Sequence, residues 1–106
     1  MVQEVDTQQA LERQRAGALV IDVRDLGEWA QGHVTGAEHI PLADLLGRLN
    51  TGALAHDREI VFICASGARS YHAATLAAQL GYGNVSSVAG GTSEWAGRGL
   101  PIERGA

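Results

Sequence analysis

At 106 residues the chain is the size of one domain, able to hold a single hydrophobic core unaided but not two. Hydrophobic residues at 45% and charged residues at 19% exclude a disordered chain, and a net charge of −4 without a basic run argues against nucleic acid or an anionic membrane as main partner. One cysteine excludes an internal disulfide and a cysteine-cluster metal site. No basic stretch followed by an apolar one opens the chain, and the longest apolar runs, such as Ile60–Ala65, are too short to span a bilayer. A lone thiol without an export signal fits a reducing compartment, which places the protein in the cytoplasm.

The predicted elements alternate along residues 1–106, read here as one unit with no repeat or linker. Val2 to Val5 reads as a short strand. Asp6 with Gln9 three residues on resembles a capping box, opening a helix that runs to about Ala16 and stops at Gly17. Leu19-Val20-Ile21 is apolar throughout, as in a strand buried on both faces. Asp22 to Gly36 is polar and turn-rich, with one helical turn near Gly27–Gln31. A short strand is expected around Glu38–Ile40, ended by Pro41. Leu42, Leu45, Leu46 and Leu49 then fall at helical spacing.

Ile60-Val61-Phe62-Ile63 is the clearest strand. It leads into the small-residue loop Cys64-Ala65-Ser66-Gly67-Ala68-Arg69 and a helix from Ser70 to Leu80, stopped by Gly81 with Tyr82 packing back. Val85 to Val88 is a further strand, Gly90-Gly91 a turn, and Thr92 to Ala96 a short helix capped by Thr92 or Ser93. Strands separated by helices predict an α/β fold, doubly wound, with a parallel sheet and helices on both faces.

In such sheets ligands bind beyond the carboxyl ends of the strands, and Cys64 stands there. A lone cysteine after an apolar strand is ordinarily packing, but the loop behind this one changes the reading. Its small residues and Gly67 let successive N–H groups converge on one point, the following helix aims its positive dipole end at that point, and Arg69 adds a cation at the rim. Each favours a thiolate, so Cys64 is the candidate nucleophile. Asp22 and Arg24 lie at the same sheet edge. They are read as an ion pair pinning the loop, the alternative being that Arg24 lends positive potential to the pocket mouth.

His33 reads as a hydrogen-bonded structural histidine, while His39, His56 and His72 lack ligand spacing. Trp29 and Trp95 read as packing anchors. Ser66 and Ser70 are each able to donate to a sulfur anion, and Ser70 looks more like a helix cap.

The loop Cys64 to Ser70 resembles the active-site loop of single-domain rhodaneses, the thiosulfate sulfurtransferases. Ile21-Asp22-Val23-Arg24 is similar to that family's first signature, and Glu28-Trp29 with Gly32 to Ala37 and Ile40-Pro41 to its second. Gly90-Gly91, Trp95 and Gly99-Leu100-Pro101 resemble its C-terminal one. The likeness runs from about Val5 to Pro101. It implies a single rhodanese-like domain with a mostly parallel twisted sheet of about five strands. It also implies a thiosulfate sulfurtransferase in which Cys64 takes the sulfane sulfur of a small anionic donor as a persulfide. An external thiol or cyanide, or a sulfur-relay protein, would then accept that sulfur. Arg69 and the loop residues Ala65, Ser66, Gly67, Ala68 and Ser70 would bind the donor, Arg69 also steadying the loop, with no metal or organic cofactor. With one cysteine the acceptor must come from outside, so the site must be open enough to admit it. Two other readings stand beside it. One is a rhodanese-like interaction or sensing module with little turnover. The other is a phosphatase or arsenate reductase, whose loop in the family's phosphatase cousins is one residue longer than the four between Cys64 and Arg69.

Overall fold

The structure, a computed structural model, describes residues 2–106. The strands are β1 (Gln3–Val5), β2 (Leu19–Asp22), β3 (His33–Val34), β4 (Glu38–His39), β5 (Ile60–Ile63), β6 (Val85–Val88) and β7 (Ile102–Glu103). The helices are α1 (Thr7–Arg15), α2 (Leu26–Gln31), α3 (Leu42–Leu49), α4 (Ala68–Gln79) and α5 (Gly91–Gly97). Five strands form one sheet in the order β1-β6-β5-β2-β4, every neighbouring pair parallel. The α/β sheet expected from the alternation is therefore present.

Side-chain alternation along the central strands divides the core. Ile60, Phe62 and Cys64 face one side with Ile21 and Val23, under Leu45 and Leu49 of α3 and Ala73, Ala74 and Ala77 of α4. Val61 and Ile63 face the other with Val20 and Val88, under Ala10 and Leu11 of α1 and Trp95 of α5. Both faces of β5 being covered, its four residues are all fully buried, which is why the run carries no polar alternation.

Local signals behave as their chemistry requires. Asp6 caps α1, its carboxylate accepting from Gln9 N–H while the Gln9 side chain accepts from Asp6 N–H. After α4, Gly81 N–H donates to Ala78 O and Tyr82 N–H to Ala77 O, and Tyr82 packs back to 1% exposure.

Three expectations are corrected, and one strand pairing has no counterpart in the sequence reading. The turn near Gly27–Gln31 is a six-residue helix from Leu26, capped by Asp25 with Glu28 in a second capping box. The helix after the loop starts at Ala68 rather than Ser70, with Gly67 at φ +113° as its cap; Ser70 lies inside the first turn and caps nothing. Neither Thr92 nor Ser93 caps α5, because Gly90 at φ +84° precedes a helix that already begins at Gly91. Finally, β3 and β7 pair antiparallel in a small second sheet, His33 beside Glu103 and Val34 beside Ile102. Among the described residues no helix is long and apolar enough to cross a membrane.

Candidate active site

The site grows out of β5. Its last residues pair with the end of β2, Val23 N–H donating to Ile63 O, so the chain leaves the sheet edge at Cys64 in a fixed position. From there the loop curls back over its own first side chain. Gly67, in the left-handed region that strains any other residue, turns its N–H inward to Cys64 Sγ at 3.1 Å. The first turn of α4 then delivers Ser70 N–H to the same sulfur at 3.3 Å, and the Ser70 hydroxyl lies 3.4 Å from it. The sulfur thus lies at the N-terminus of the twelve-residue α4, whose dipole favours negative charge there.

Burial pushes the Cys64 thiol up. The Ser70 hydroxyl and the N–H groups of Ser70, Gly67 and Ser66 outweigh it and leave the thiol below its ordinary value. Ala65 and Ala68 make no hydrogen bond to the sulfur. The Ala65 carbonyl instead accepts from Ser93 N–H at 3.1 Å, and the Cys64 carbonyl from Thr92 N–H at 2.8 Å, so the start of α5 clamps the beginning of the loop. Cys64 is only 1% exposed, a more enclosed sulfur than the open site expected from a single cysteine with an external acceptor.

Arg69 does not stand free at the rim. Its guanidinium grips both carboxylate oxygens of Glu28 on α2, at 2.7 and 2.9 Å. That bidentate contact holds Glu28 well below the usual carboxylate range, at about 2, and raises the Arg69 guanidinium further. The folded carboxyl is thus more acidic than in the unfolded chain, so the unfolded chain binds more protons between pH 4.5 and about 2. The clamp's contribution to stability is then complete above pH 4.5 and disappears as pH falls through about 2. Carboxyl NMR titration should place Glu28 near the lower value, and Arg69→Ala should return it toward 4.5.

Asp22 and Arg24 form a closed unit. Arg24 donates to both Asp22 oxygens at 2.8–3.1 Å and to Gly32 O at 2.7 Å, with Asp22 fully buried and Arg24 6% exposed. Nε and one terminal nitrogen of the guanidinium are taken up by these contacts, the geometry of a pin between β2 and the turn before β3. His33 is buried with Nδ1 2.8 Å from Trp29 O, and Trp29 stacks between His33 and His39 with ring centroids 3.4 and 4.8 Å apart. An open pocket of about 280 Å³ borders the loop at Ala65, lined also by Arg24, Glu28, Thr92, Ser93 and Arg104. Among the described residues no group of three or more His, Cys, Asp or Glu side chains is placed to hold a metal ion.

Three residues of this arrangement have no role at the site in the sequence reading. Glu28 sits three residues after Asp25, the same capping spacing that marked Asp6 and Gln9. Gly91 was read as one half of a turn. Ser87 lies in a strand covered on both faces, where a hydroxyl needs a buried partner.

The family model for the rhodanese-like domain matches residues 6–98. The chain belongs to the rhodanese-like domain family. A sulfurtransferase from Allochromatium vinosum is 38% identical over 104 residues, 96% of this rhodanese-like chain and 95% of the relative. Thiosulfate sulfurtransferase GlpE from Haemophilus influenzae is 34% identical over 100 residues, 94% and 93% of the two chains. Among solved structures, the rhodanese-like domain of an Anabaena protein superposes with a TM-score of 0.86 at 29% identity, over 98% of this chain and 80% of that one. The five-stranded parallel sheet flanked by helices is the rhodanese-like fold of these neighbours.

Proposed function

We propose that residues 1–106 form one rhodanese-like unit, a sulfurtransferase that carries a sulfane sulfur on Cys64. The observation that carries the reading is the convergence of the Gly67 and Ser70 N–H groups on Cys64 Sγ at 3.1 and 3.3 Å. A thiolate so held needs no separate base. It attacks the outer sulfur of thiosulfate; the new S–S bond forms as the donor's S–S bond breaks, and sulfite leaves with the electron pair. The negative charge now rests on the outer sulfur of a persulfide. A nucleophilic acceptor, cyanide or an external thiol, takes that sulfur and returns Cys64 to the thiolate. The named activities of the relatives support this class of reaction.

The remaining assignments belong to the same proposal. The N–H groups of Ser66, Gly67 and Ser70 hold the sulfur anion, while Ala65 and Ala68 line the loop without bonding to it. Arg69, spent on Glu28, steadies the loop and adds a neutralised rather than a free positive charge for the donor. Asp22 and Arg24 pin the sheet edge. Reactants enter from the pocket bordering Ala65, and the enclosed sulfur restricts them to small anions and slender thiols. With no second cysteine, the acceptor is external: a small thiol, cyanide or a relay protein in the cytoplasm that reaches in with a slender thiol-bearing segment.

The test is direct. Incubation with thiosulfate should add one sulfur atom to the intact mass, and cyanide should remove it as thiocyanate. An unchanged mass overturns the reading, and phosphatase activity in its place would favour the longer-loop chemistry.

A further inference from the structure

The mechanism leaves one buried polar group next to the site without a task. Ser87 is fully buried on β6, and its Oγ lies 2.7 Å from Ser70 Oγ. The register explains how it gets there. Ser87 pairs with Phe62 of β5, so both side chains face the side of the sheet that carries α4, as Cys64 does two residues further on. Ser86, its neighbour, points to the opposite face, and its hydroxyl has no hydrogen-bond partner among the described residues.

The protons on this chain of groups can be counted. Ser70 is the only hydrogen-bond partner of the Ser87 hydroxyl among the described residues. Either oxygen can donate across that contact, but Ser70 has Gly67 O for its own proton while Ser87 has Ser70 alone, so the arrangement that leaves no proton unpaired has Ser87 donating to Ser70. The Ser70 oxygen has one proton of its own and two possible receivers, Gly67 O at 3.1 Å and Cys64 Sγ at 3.4 Å. While Cys64 is a thiol, its S–H donates to Ser70 and the Ser70 proton goes to Gly67 O. Once Cys64 ionises, the sulfur only accepts, and the Ser70 proton turns to it. Gly67 O is not orphaned by the turn, because Tyr71 N–H still donates to it at 3.1 Å.

The two states therefore differ in what Ser87 does for Ser70. In the thiol state the Ser70 oxygen accepts from Cys64 with or without Ser87. In the thiolate state Ser87 is its only donor, and without it the buried oxygen accepts nothing. A buried acceptor left empty is costly, and a hydroxyl that accepts a bond also donates a stronger one. We infer that Ser87 is a positioning residue which, through the Ser70 hydroxyl, selectively favours the anionic form of Cys64. Its consequence for turnover rests on the reading of Cys64 as the sulfur carrier, but its effect on the thiol does not.

The charged groups around Cys64 stay constant in the comparison. They are Arg69 on α4, paired with Glu28 of α2, and the closed Asp22–Arg24 pair at the end of β2. From α3 the packed side chains are Leu42, Leu45 and Leu49, and α5 offers the N–H groups of Thr92 and Ser93 to loop carbonyls.

The experiment follows thiolate ultraviolet absorbance against pH, each variant measured against its own Cys64→Ser counterpart, which requires no reagent to reach the sulfur. Ser87→Ala is expected to raise the midpoint by roughly half a unit to one unit. Ser87→Thr, which keeps the hydroxyl, should restore it, and Ser86→Ala should leave it unchanged. Ser70→Ala should raise it further, and Ser70→Ala/Ser87→Ala should match Ser70→Ala alone, since Ser87 acts only through Ser70. A Ser87→Ala curve superimposed on the parent's overturns the inference, as does a double variant in which the two shifts add. Thermal melting confirms that each variant is folded. Persulfide formation measured separately by mass keeps the two readings apart. If the parent takes no sulfur while the midpoints move as expected, sulfur transfer fails and the role of Ser87 stands.

Discussion

Cys64→Ser is expected to gain no sulfur from thiosulfate and to lose thiocyanate production by at least about a thousandfold, down to background. Serine fits the same space and places an oxygen where Gly67 and Ser70 already aim their N–H groups, so the cradle survives. The cradle cannot make up the chemistry. Its pull on a thiol starts from a group that ionises near pH 8.5, whereas a hydroxyl lies many units higher, and oxygen forms no stable counterpart of a persulfide. Melting should remain close to the parent's. Cys64→Ala gives the complementary result. It is equally inactive but leaves the buried Ser70 N–H and the half-buried Gly67 N–H without their acceptor, which costs about 1–3 kcal/mol relative to serine. Sulfur transfer by Cys64→Ser would remove Cys64 from the mechanism. Equal stability of the two variants would mean that the amides are not committed to the sulfur.

The parts of this site that were legible in the sequence are those written in neighbouring residues. Ile60–Ile63 shows an unbroken apolar run because it is covered on both sides, and the Asp6–Gln9 box shows because a cap is satisfied three residues away. The loop announced itself through small residues, one glycine and the helix behind it. What stayed hidden depends on partners far along the chain. Glu28 meets Arg69 across 41 positions, and Ser70 meets Ser87 across 17, so no local pattern links them. The β3–β7 pair has two residues per strand, too few for any periodicity to show. The start of α4 was misplaced for a chemical reason. Ser70 is a good cap by residue type, but its hydroxyl is engaged by the sulfur, Gly67 O and Ser87, and Gly67 takes the capping position because the loop must reverse there. The residue that looked most like a ligand binder, Arg69, is tied down by an acid whose own role had been read only within a signature.

Gly91→Ala is expected to destabilise the protein by about 2–4 kcal/mol and to raise the Cys64 thiol toward its ordinary value. Gly91 has φ +56°, which costs alanine about 1 kcal/mol before any contact is considered. A β-carbon there would collide with the Cys64 carbonyl oxygen and would approach Ala65 O and Ala65 C to 2.5 and 2.6 Å. These are backbone atoms of the active loop, held by Thr92 and Ser93 N–H groups from the same helix, so no side chain can swing aside to relieve them. Either α5 withdraws and releases both carbonyls, or the loop shifts and carries the Gly67 and Ser70 amides off the sulfur. Both outcomes couple stability to thiol acidity. Gly97→Ala, in the last position of α5 where an added carbon meets nothing within 4 Å, provides the contrast: it should be neutral or stabilise by up to about 1 kcal/mol. Denaturant midpoints and thiolate titrations of the two variants make the comparison. A Gly91→Ala protein as stable as the parent, with an unchanged thiol, would mean that the α5 clamp does not hold the loop in place.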